Sequence, residues 1–387
     1  MSTGYKPDMR WKTSTRKLSS EVPVFCQRRR LRGYTDFMTD ACSIRSLRRL
    51  LFTSEVASAA DCYRPVEAKR RLEERESIMR KIAKAIVLSI AERYLYFVKR
   101  QQKPKFDSLS DKAIQHYRAM LKGDIPKFCL PAWLSHSREA EEFLIPRPKF
   151  SFVRERLIRN TMFIEAGGGW LHRELEFLKS RYSPRRLREL LIEDYVGMPT
   201  IQSARYLTSH NSVHHLYHIA FYEHKCGISV KRLNSVIEWG GGYGNMAKII
   251  RRMNPSLTYT IVDIPIFSCI QWLYLSTVFH HTDLNIITDT AMQVADGKIN
   301  ILPLSLVEQH RPACELFVST WALSESSRVA QDYVSDNDFF GAGRLLLAFQ
   351  DSCKTWPNAD RVGKLADKRG AKIERIDFLP GNYYALR

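Results

Sequence analysis

The sequence predicts a parallel, doubly wound α/β sheet after residue 200, closed by a C-terminal hairpin and preceded by a mostly α-helical region. Short apolar runs alternate with helical stretches over about 150 residues, the pattern of strands joined by crossover helices. Two β-like runs flank the turn-forming residues Pro380-Gly381-Asn382 at the chain's end. Before residue 200, by contrast, no segment shows strong β patterning.

Seven apolar runs after residue 200 have the length of buried strands. They are Ser235–Trp239, Tyr259–Asp263, Leu284–Thr288, Ile299–Leu304, Leu316–Thr320, Leu345–Gln350 and Ile373–Phe378. Either Leu284–Thr288 or Ile299–Leu304 can be the third strand in the sheet.

The first half divides into two segments. Residues 1–60 are basic and weakly patterned, and we expect them to be irregular or partly disordered. Residues 61–200 are expected to form an α-helical cap, because Ile82, Ile86 and Ile90 recur at helical spacing. Ser183 and Pro184 have the chemistry of an N-cap and a first helical position.

The charge is distributed unevenly along the chain. The net charge is +19, and residues 1–200 carry 41 Lys and Arg against 24 Asp and Glu, whereas residues 201–387 carry 19 against 17. A basic half favours an anionic partner such as a nucleic acid, a membrane surface or an acidic glycan. An Arg-rich, solvated helical surface is the alternative.

The cysteines and the N-terminus indicate a cytoplasmic protein. The closest two of the eight cysteines are sixteen positions apart, so no zinc-type pairing exists and free thiols are expected. Met1–Lys17 lacks the apolar core of a secretory signal. The apolar run Ala85–Ile90 is far shorter than the ~20 residues of a spanning helix, so we expect no transmembrane segment, although peripheral membrane contact stays open.

The segment Val236–Asn245, VIEWGGGYGN, is the most informative in the sequence. An apolar strand ends at Glu238, and a glycine-rich turn then leads into a helix, which lets a ligand approach the main chain. The strand-end carboxylate suits a cationic group of the ligand. The next strand ends at Asp263, where a nucleotide-binding sheet presents a carboxylate to ribose hydroxyls.

Two cofactors compete for this turn. Residues 242–247, GYGNMA, satisfy the dinucleotide pattern GxGxxA. S-adenosylmethionine is favoured because Glu238 precedes the loop and suits the methionine ammonium group. The chain also leaves room for one seven-strand sheet and no downstream catalytic domain, and a terminal hairpin suits a methyltransferase sheet with one reversed strand.

The segments VIEWGGGYGNMAKIIRR and YTIVDIPIFSCIQWLYLS resemble the class I S-adenosylmethionine-dependent methyltransferases. More narrowly, they are similar to the sugar O-methyltransferases of bacterial polysaccharide gene clusters, which share a GGGYG loop, a Tyr-x-x-x-Asp-x-Pro second strand and a WALSE-like segment, here Ser319–Glu325. The resemblance covers roughly residues 180–387. It implies a Rossmann-like seven-strand methyltransferase sheet over residues 201–387, and transfer of a methyl group to a hydroxyl of a sugar or glycan-type acceptor.

The resemblance also implies roles for single residues. Glu238 would face the methionine amino group, and Asp263 would hold the ribose. The residues implied to lie along the rest of the cofactor are Gly240, Gly242, Gly244, Ser305 beside the adenine, and Ser319 with Thr320 beside the sulfonium.

A hydroxyl acceptor needs a base to remove its proton, and three residues are candidates. Glu325 follows the strand predicted over Leu316–Thr320, at the ligand-binding edge, although an acid in a first helical turn is equally expected there. His214 and His218 share a helix face; each is a base, a sugar-hydroxyl partner or a structural histidine. A metal pair is not expected, because the sequence has no HExxH motif and we expect no carboxylate near this helix before Glu223.

Two other functions remain as alternatives. The basic half would suit an RNA methyltransferase or RNA-binding protein, although no known RNA-binding signature or Asn-Pro-Pro-Tyr-like motif appears. An NAD(P)-dependent oxidoreductase would use the same glycine-rich turn. We expect no specific nucleic-acid partner.

Overall fold

A computed structural model describes residues 65–121, 126–162 and 170–387. The basic segment predicted over residues 1–60 therefore lies outside the described residues. The described residues form one compact unit. The predicted boundary between a helical region and a sheet domain near residue 200 thus falls inside a single packed body.

The described residues before the sheet are helical, as predicted. The helices are α1 (Pro65–Val98), α2 (Gln102–Met120), α3 (Pro131–Leu144), α4 (Arg156–Thr161), α5 (Trp170–Arg181) and α6 (Pro184–Leu191). The Ser183 side chain accepts a hydrogen bond from the main-chain N–H of Arg186, which confirms the predicted N-cap.

The second half alternates helices and strands. Its helices are α7 (His210–Cys226), α8 (Asn245–Met253), α9 (Pro265–Val278), α10 (Val307–His310), α11 (Arg328–Asp336) and α12 (Arg361–Asp367), with a left-handed turn at Asp338–Gly341. Helix α7 begins at His210, because the Ser209 side chain caps it by accepting from the N–H of Ser212. It ends at Gly227, whose φ is +69°.

Eight strands form one sheet in the order β3-β4-β2-β1-β5-β6-β8-β7. They are β1 (Ser235–Trp239), β2 (Thr258–Asp263), β3 (Leu284–Ile286), β4 (Ile299–Pro303), β5 (Leu316–Thr320), β6 (Arg344–Gln350), β7 (Lys372–Arg375) and β8 (Asn382–Leu386). All neighbouring pairs are parallel except those of β8, which is antiparallel to both β6 and β7. The fold is therefore the Rossmann-like sheet with a closing hairpin that the sequence predicts.

The sheet has one strand more than the seven expected. Strand β4 pairs directly with β2, and β3 pairs with the outer side of β4. Both candidates for the third strand are thus strands, and β4 occupies the inner position.

Helices from the first half pack beside the carboxyl edge of the sheet. Helix α2 lies against α9, where the His116 and Trp272 rings meet edge to face at 4.7 Å. The loop before α3 is hydrogen-bonded to Ser327, whose N–H donates to the carbonyl of Phe128 and whose hydroxyl donates to that of Lys127. These contacts fix the helical region next to the loop that follows β5.

Within residues 65–121, 126–162 and 170–387, no helix has both the length and the apolar composition needed to cross a membrane.

Candidate active site

A cavity of about 280 Å³ lies at the carboxyl edge of the sheet, where the loops after β1, β2 and β5 meet. Open α/β sheets bind their ligands at this edge. Its lining includes Glu238, Gly240, Gly242, Asp263, Leu304, Thr320, Trp321, Ala322 and Glu325 from the sheet loops, Asn211, His214 and His215 from α7, and Phe128, Trp133, Asn160, Thr161 and Met162 from the helical region. Three parts of the chain therefore converge on one cavity.

The glycine-rich loop after β1 forms one wall of the cavity. Gly240 has a φ of +77° and Gly242 a φ of +55°, values that residues other than glycine rarely adopt. A Cβ atom on Gly240 would lie 2.0 Å from the Cβ of Ala322, so the loops after β1 and β5 touch there. Gly244 does not line the cavity; it begins the turn into α8 with a φ of +94°.

Glu238 is a buried carboxylate at the end of β1. The Tyr259 hydroxyl donates to its Oε2 atom at 2.9 Å. Burial raises the pKa of Glu238 to about 8, an effect that the Tyr259 hydrogen bond opposes and the charge of Asp263 reinforces. A buried acid with a raised pKa has a strong electrostatic preference for a cationic ligand.

Asp263 ends β2 on the neighbouring side of the cavity. Its carboxylate accepts from the N–H of Ile264 at 2.8 Å and from Nε2 of Gln271 at 2.7 Å. Burial raises the pKa of Asp263 to about 7, although hydrogen bonds from Ile264, Gln271 and the glycine loop oppose the shift. Neutral hydrogen-bond donors thus orient the carboxylate, which can accept hydrogen bonds from the hydroxyl groups of a ligand.

His214 lines the cavity and is paired with a carboxylate that the sequence analysis missed. Its Nδ1 atom lies 2.5 Å from Oε1 of Glu174, a residue of α5. Its Nε2 atom has no hydrogen-bond partner. The Trp321 ring stacks on the imidazole at 5.7 Å with an interplanar angle of 16°. The prediction that no carboxylate lies near this helix before Glu223 is therefore wrong, because the packing of α5 on α7 brings Glu174 to it.

His218 lies one turn further along α7 and does not line the cavity. Its Nδ1 atom lies 2.5 Å from the Tyr384 hydroxyl. Burial holds the pKa of His218 well below its ordinary value, as do the nearby His214 and His215. His218 is therefore a neutral residue packed behind His214, and the structure separates the two predicted histidine candidates.

Glu325 faces the cavity from the loop after β5, as its place in the sequence suggested. Nε2 of Gln350 lies 3.4 Å from its Oε1 atom. Burial raises the pKa of Glu325 to about 7, against the hydrogen bonds from Gln350 and Trp133. A carboxyl group with such a pKa can exchange a proton near neutrality.

Ser305 and Ser319 make contacts within the protein and are not among the lining residues. The Ser305 hydroxyl donates to the carbonyl of Met120 at 2.8 Å. The Ser319 hydroxyl donates to the carbonyl of Trp239 at 3.0 Å and accepts from the N–H of Leu323. Leu304 lines the cavity beside Ser305, and Thr320, which was predicted together with Ser319, lines it beside Ser319.

The sequence did contain a signal for Glu174. It falls among apolar residues on the buried side of α5, between Leu171 and Leu178. A charged residue within an apolar helix face is seldom buried without a partner. The sequence thus indicates that Glu174 has a partner, but only the tertiary packing identifies that partner.

Among the residues that the structure describes, no group of three or more His, Cys, Asp or Glu side chains has an arrangement suited to a metal ion.

No protein-family model matches the chain, and no curated protein matches it. Solved structures do align with it. An O-methyltransferase family protein from Burkholderia thailandensis is 12% identical, with 79% of this chain and 97% of that chain covered and a TM-score of 0.30. The pyocyanin biosynthetic protein PhzM is 14% identical, with 80% and 99% covered and a TM-score of 0.32.

Human N-acetylserotonin methyltransferase, solved in complex with SAM, is 12% identical, with 64% of this chain and 73% of that chain covered and a TM-score of 0.29. Similarities this low do not carry a function from one protein to another.

Proposed function

We propose that this protein is an S-adenosylmethionine-dependent O-methyltransferase that methylates a hydroxyl of a sugar or glycan-type acceptor. One observation carries the proposal: Glu238 and Asp263, at the ends of adjacent strands, face the same cavity as His214, whose Nε2 atom has no partner. Two carboxylates for the cofactor and a base for the acceptor hydroxyl would thus line one space.

The residues around the cavity fit S-adenosylmethionine. Glu238 offers a buried carboxylate whose pKa of about 8 would fall on contact with the cofactor's ammonium group. Asp263 would accept hydrogen bonds from the ribose hydroxyls, as a strand-end acid does in nucleotide-binding sheets. Gly240 and Gly242 would let the main chain approach the ligand. When bound, the cofactor supplies an electrophilic methyl group.

The chain's own residues would then orient the acceptor and exclude water. We propose that His214 takes the proton of the acceptor hydroxyl at Nε2 and that Glu325 binds a second acceptor group. Phe128, Trp133 and Met162 cover the cavity from the helical region, which would limit access of water.

A saccharide acceptor is supported by the mixture of side chains around the base. The aromatic rings of Trp133 and Trp321 lie in the lining together with the polar groups of Asn160, Thr161 and Asn211. Aromatic faces cover the apolar side of a sugar ring, and amides and hydroxyls bind its hydroxyl groups. The excess of Lys and Arg in residues 1–200 would suit an anionic glycan or a lipid-linked carrier.

Identification of the cofactor is the first test. We expect S-adenosylmethionine or its demethylated product to be found by mass spectrometry of the purified protein, and a labelled methyl group to pass to a saccharide hydroxyl. Binding of NAD(H) without any response to S-adenosylmethionine would instead select an oxidoreductase. A salt-dependent complex with mixed RNA, and methylation of that RNA, would select the nucleic-acid alternative.

Cofactor affinity should depend on pH through Glu238. The free protein holds this side chain protonated below a pKa of about 8, whereas the cofactor's ammonium group binds the ionised form. Binding therefore releases a proton, and the association constant for S-adenosylhomocysteine should rise with pH until about 8 and then level off. Calorimetry in buffers of different ionisation enthalpy measures both effects.

Glu238→Gln should weaken that binding by about 1.5–3 kcal/mol and flatten the pH dependence. Glu308→Gln is the matched control, because that carboxylate lies outside the cavity and pairs with Lys127. A pH dependence unchanged in Glu238→Gln would mean that another group binds the ammonium.

Trp133 should contribute to acceptor binding. Trp133→Leu removes an aromatic face of the cavity, so the KM for the acceptor should rise by roughly 2- to 10-fold, the equivalent of about 0.5–1.5 kcal/mol. Cofactor affinity should stay as in the wild type. Trp356→Leu is the control, since its ring stacks on Trp133 at 6.2 Å but does not line the cavity. An equal rise in the acceptor KM in both variants would mean that Trp133 acts through its packing against other side chains and does not contact the acceptor.

A further inference from the structure

Glu174 is fully buried, with 0% of its surface exposed. One carboxylate oxygen lies 2.5 Å from Nδ1 of His214, and the other lies 3.1 Å from Nε2 of His210. It lies on α5, whereas both histidines lie on α7, so the contact depends on the packing of the two helices.

We propose that Glu174 is a positioning residue for proton removal from the acceptor, because it fixes the orientation and tautomer of His214 and balances the charge that His214 gains. The proposal rests on the proposed O-methyltransferase function. It adds a residue from the helical region to the reaction, although Glu174 does not itself line the cavity.

The tautomer follows from the donor and acceptor chemistry. An ionised carboxylate can only accept hydrogen bonds, so the Nδ1 atom of His214 must carry the proton. The lone pair is then on Nε2, the atom without a protein partner. Stacking of Trp321 on the ring restricts its rotation. His214 is therefore held in the tautomer whose Nε2 atom can accept a proton.

The hydrogen bonds from His214 and His210 favour an ionised Glu174. Burial alone would raise the pKa of Glu174, but its contacts with His214 and His210 outweigh burial and lower it. Transfer of the acceptor proton breaks an O–H bond and forms an N–H bond at Nε2, which leaves an imidazolium next to this carboxylate. The fixed negative charge stabilises that imidazolium.

The other titratable groups around His214 do not provide this charge. They are His210, His215 and His218 on α7, Glu325 in the loop after β5, Lys248 on α8, and Tyr217 and Tyr384 near His218. Burial lowers the pKa of His215 to about 3, and the Lys248 ammonium is bound to Glu193 at 3.0 Å. Glu174 is thus the carboxylate in direct contact with the imidazole.

The test compares Glu174→Gln, Glu174→Asp and a control, Glu223→Gln. Glu223, a carboxylate of α7, also accepts hydrogen bonds, from Ser229 and Val230, but it does not line the cavity. We expect Glu174→Gln to lower kcat by about 10²-fold with little change in cofactor KM, and to move the rise of rate with pH to lower pH, because the imidazolium loses its counter-charge. Glu174→Asp should recover part of the rate, and Glu223→Gln should behave as the wild type.

Nitrogen NMR of the free wild-type protein gives a second readout that needs no activity. A proton on Nδ1 of His214 in the wild type, and its loss or a mixture of both tautomers in Glu174→Gln, would support the positioning role. This result would hold even if no hydroxyl acceptor were methylated. The absence of methylation would contradict only the proposed function. A wild-type proton on Nε2, or an active Glu174→Gln enzyme with an unchanged kcat and pH profile, would overturn the inference.

Discussion

Replacing His214 with Gln should lower kcat by about 10²–10⁴-fold, the usual contribution of a general base. Gln can still donate a hydrogen bond to Glu174, which keeps that buried carboxylate paired, but it cannot take up a proton. The substitution should therefore lower kcat, while the cofactor affinity and the free energy of unfolding change little. Steady-state kinetics at saturating S-adenosylmethionine, together with calorimetry, separate these quantities.

Glu325 is the competing base, and its variant decides between the two. If Glu325 only binds the acceptor, Glu325→Gln should raise the acceptor KM and leave most of kcat. If it is the base, the rate should still rise through about pH 7 in His214→Gln, because the pKa of Glu325 has that value. His172→Gln, a change at an exposed histidine of α5, is the control for an unspecific effect. Normal turnover in both cavity variants would mean that neither residue removes the proton.

The strands and the glycine loop were predictable because they depend on local sequence. A run such as Tyr259–Asp263 is apolar and ends in an acid, which by itself indicates a buried strand at a ligand-binding edge. Local sequence could not decide whether Leu284–Thr288 or Ile299–Leu304 is the third strand of the sheet. Both are apolar runs of strand length, and only the pairing with β2 gives β4 the inner position.

The candidate site, too, was predictable only where it depends on local sequence. Glu238, Asp263 and His214 line one cavity, as expected from strand ends and a helix face, and their roles there stay predictions. The contact of His214 with Glu174 joins residues 40 positions apart through the packing of two helices, which no periodicity specifies. Ser305 does not line the cavity, because its hydroxyl donates to the carbonyl of Met120 from the helical region, a contact that the local sequence does not specify.

Replacing Gly240 with Ala should have the largest effect on stability and ligand binding. An alanine at a φ of +77° costs about 1 kcal/mol in backbone strain. Its Cβ atom would also lie 2.0 Å from the Cβ of Ala322, which is attached directly to the main chain and cannot rotate away. The clash adds about 1–3 kcal/mol and separates the loops after β1 and β5. We expect a loss of about 2–4 kcal/mol in the free energy of unfolding, measured with urea, and no detectable binding of S-adenosylhomocysteine.

Two companion variants isolate the clash from the strain. Gly227 has a φ of +69° at the end of α7, and a Cβ atom there meets nothing within 4 Å. Gly227→Ala should therefore cost only the strain of about 1 kcal/mol and leave binding intact. Ala322→Gly in the Gly240→Ala background removes the atom that the new side chain strikes, so the double variant should regain much of the stability and part of the binding. If instead the double variant is no better than Gly240→Ala, the contact between the two loops does not determine the shape of the cavity. The requirement for glycine at position 240 would then reflect backbone conformation alone.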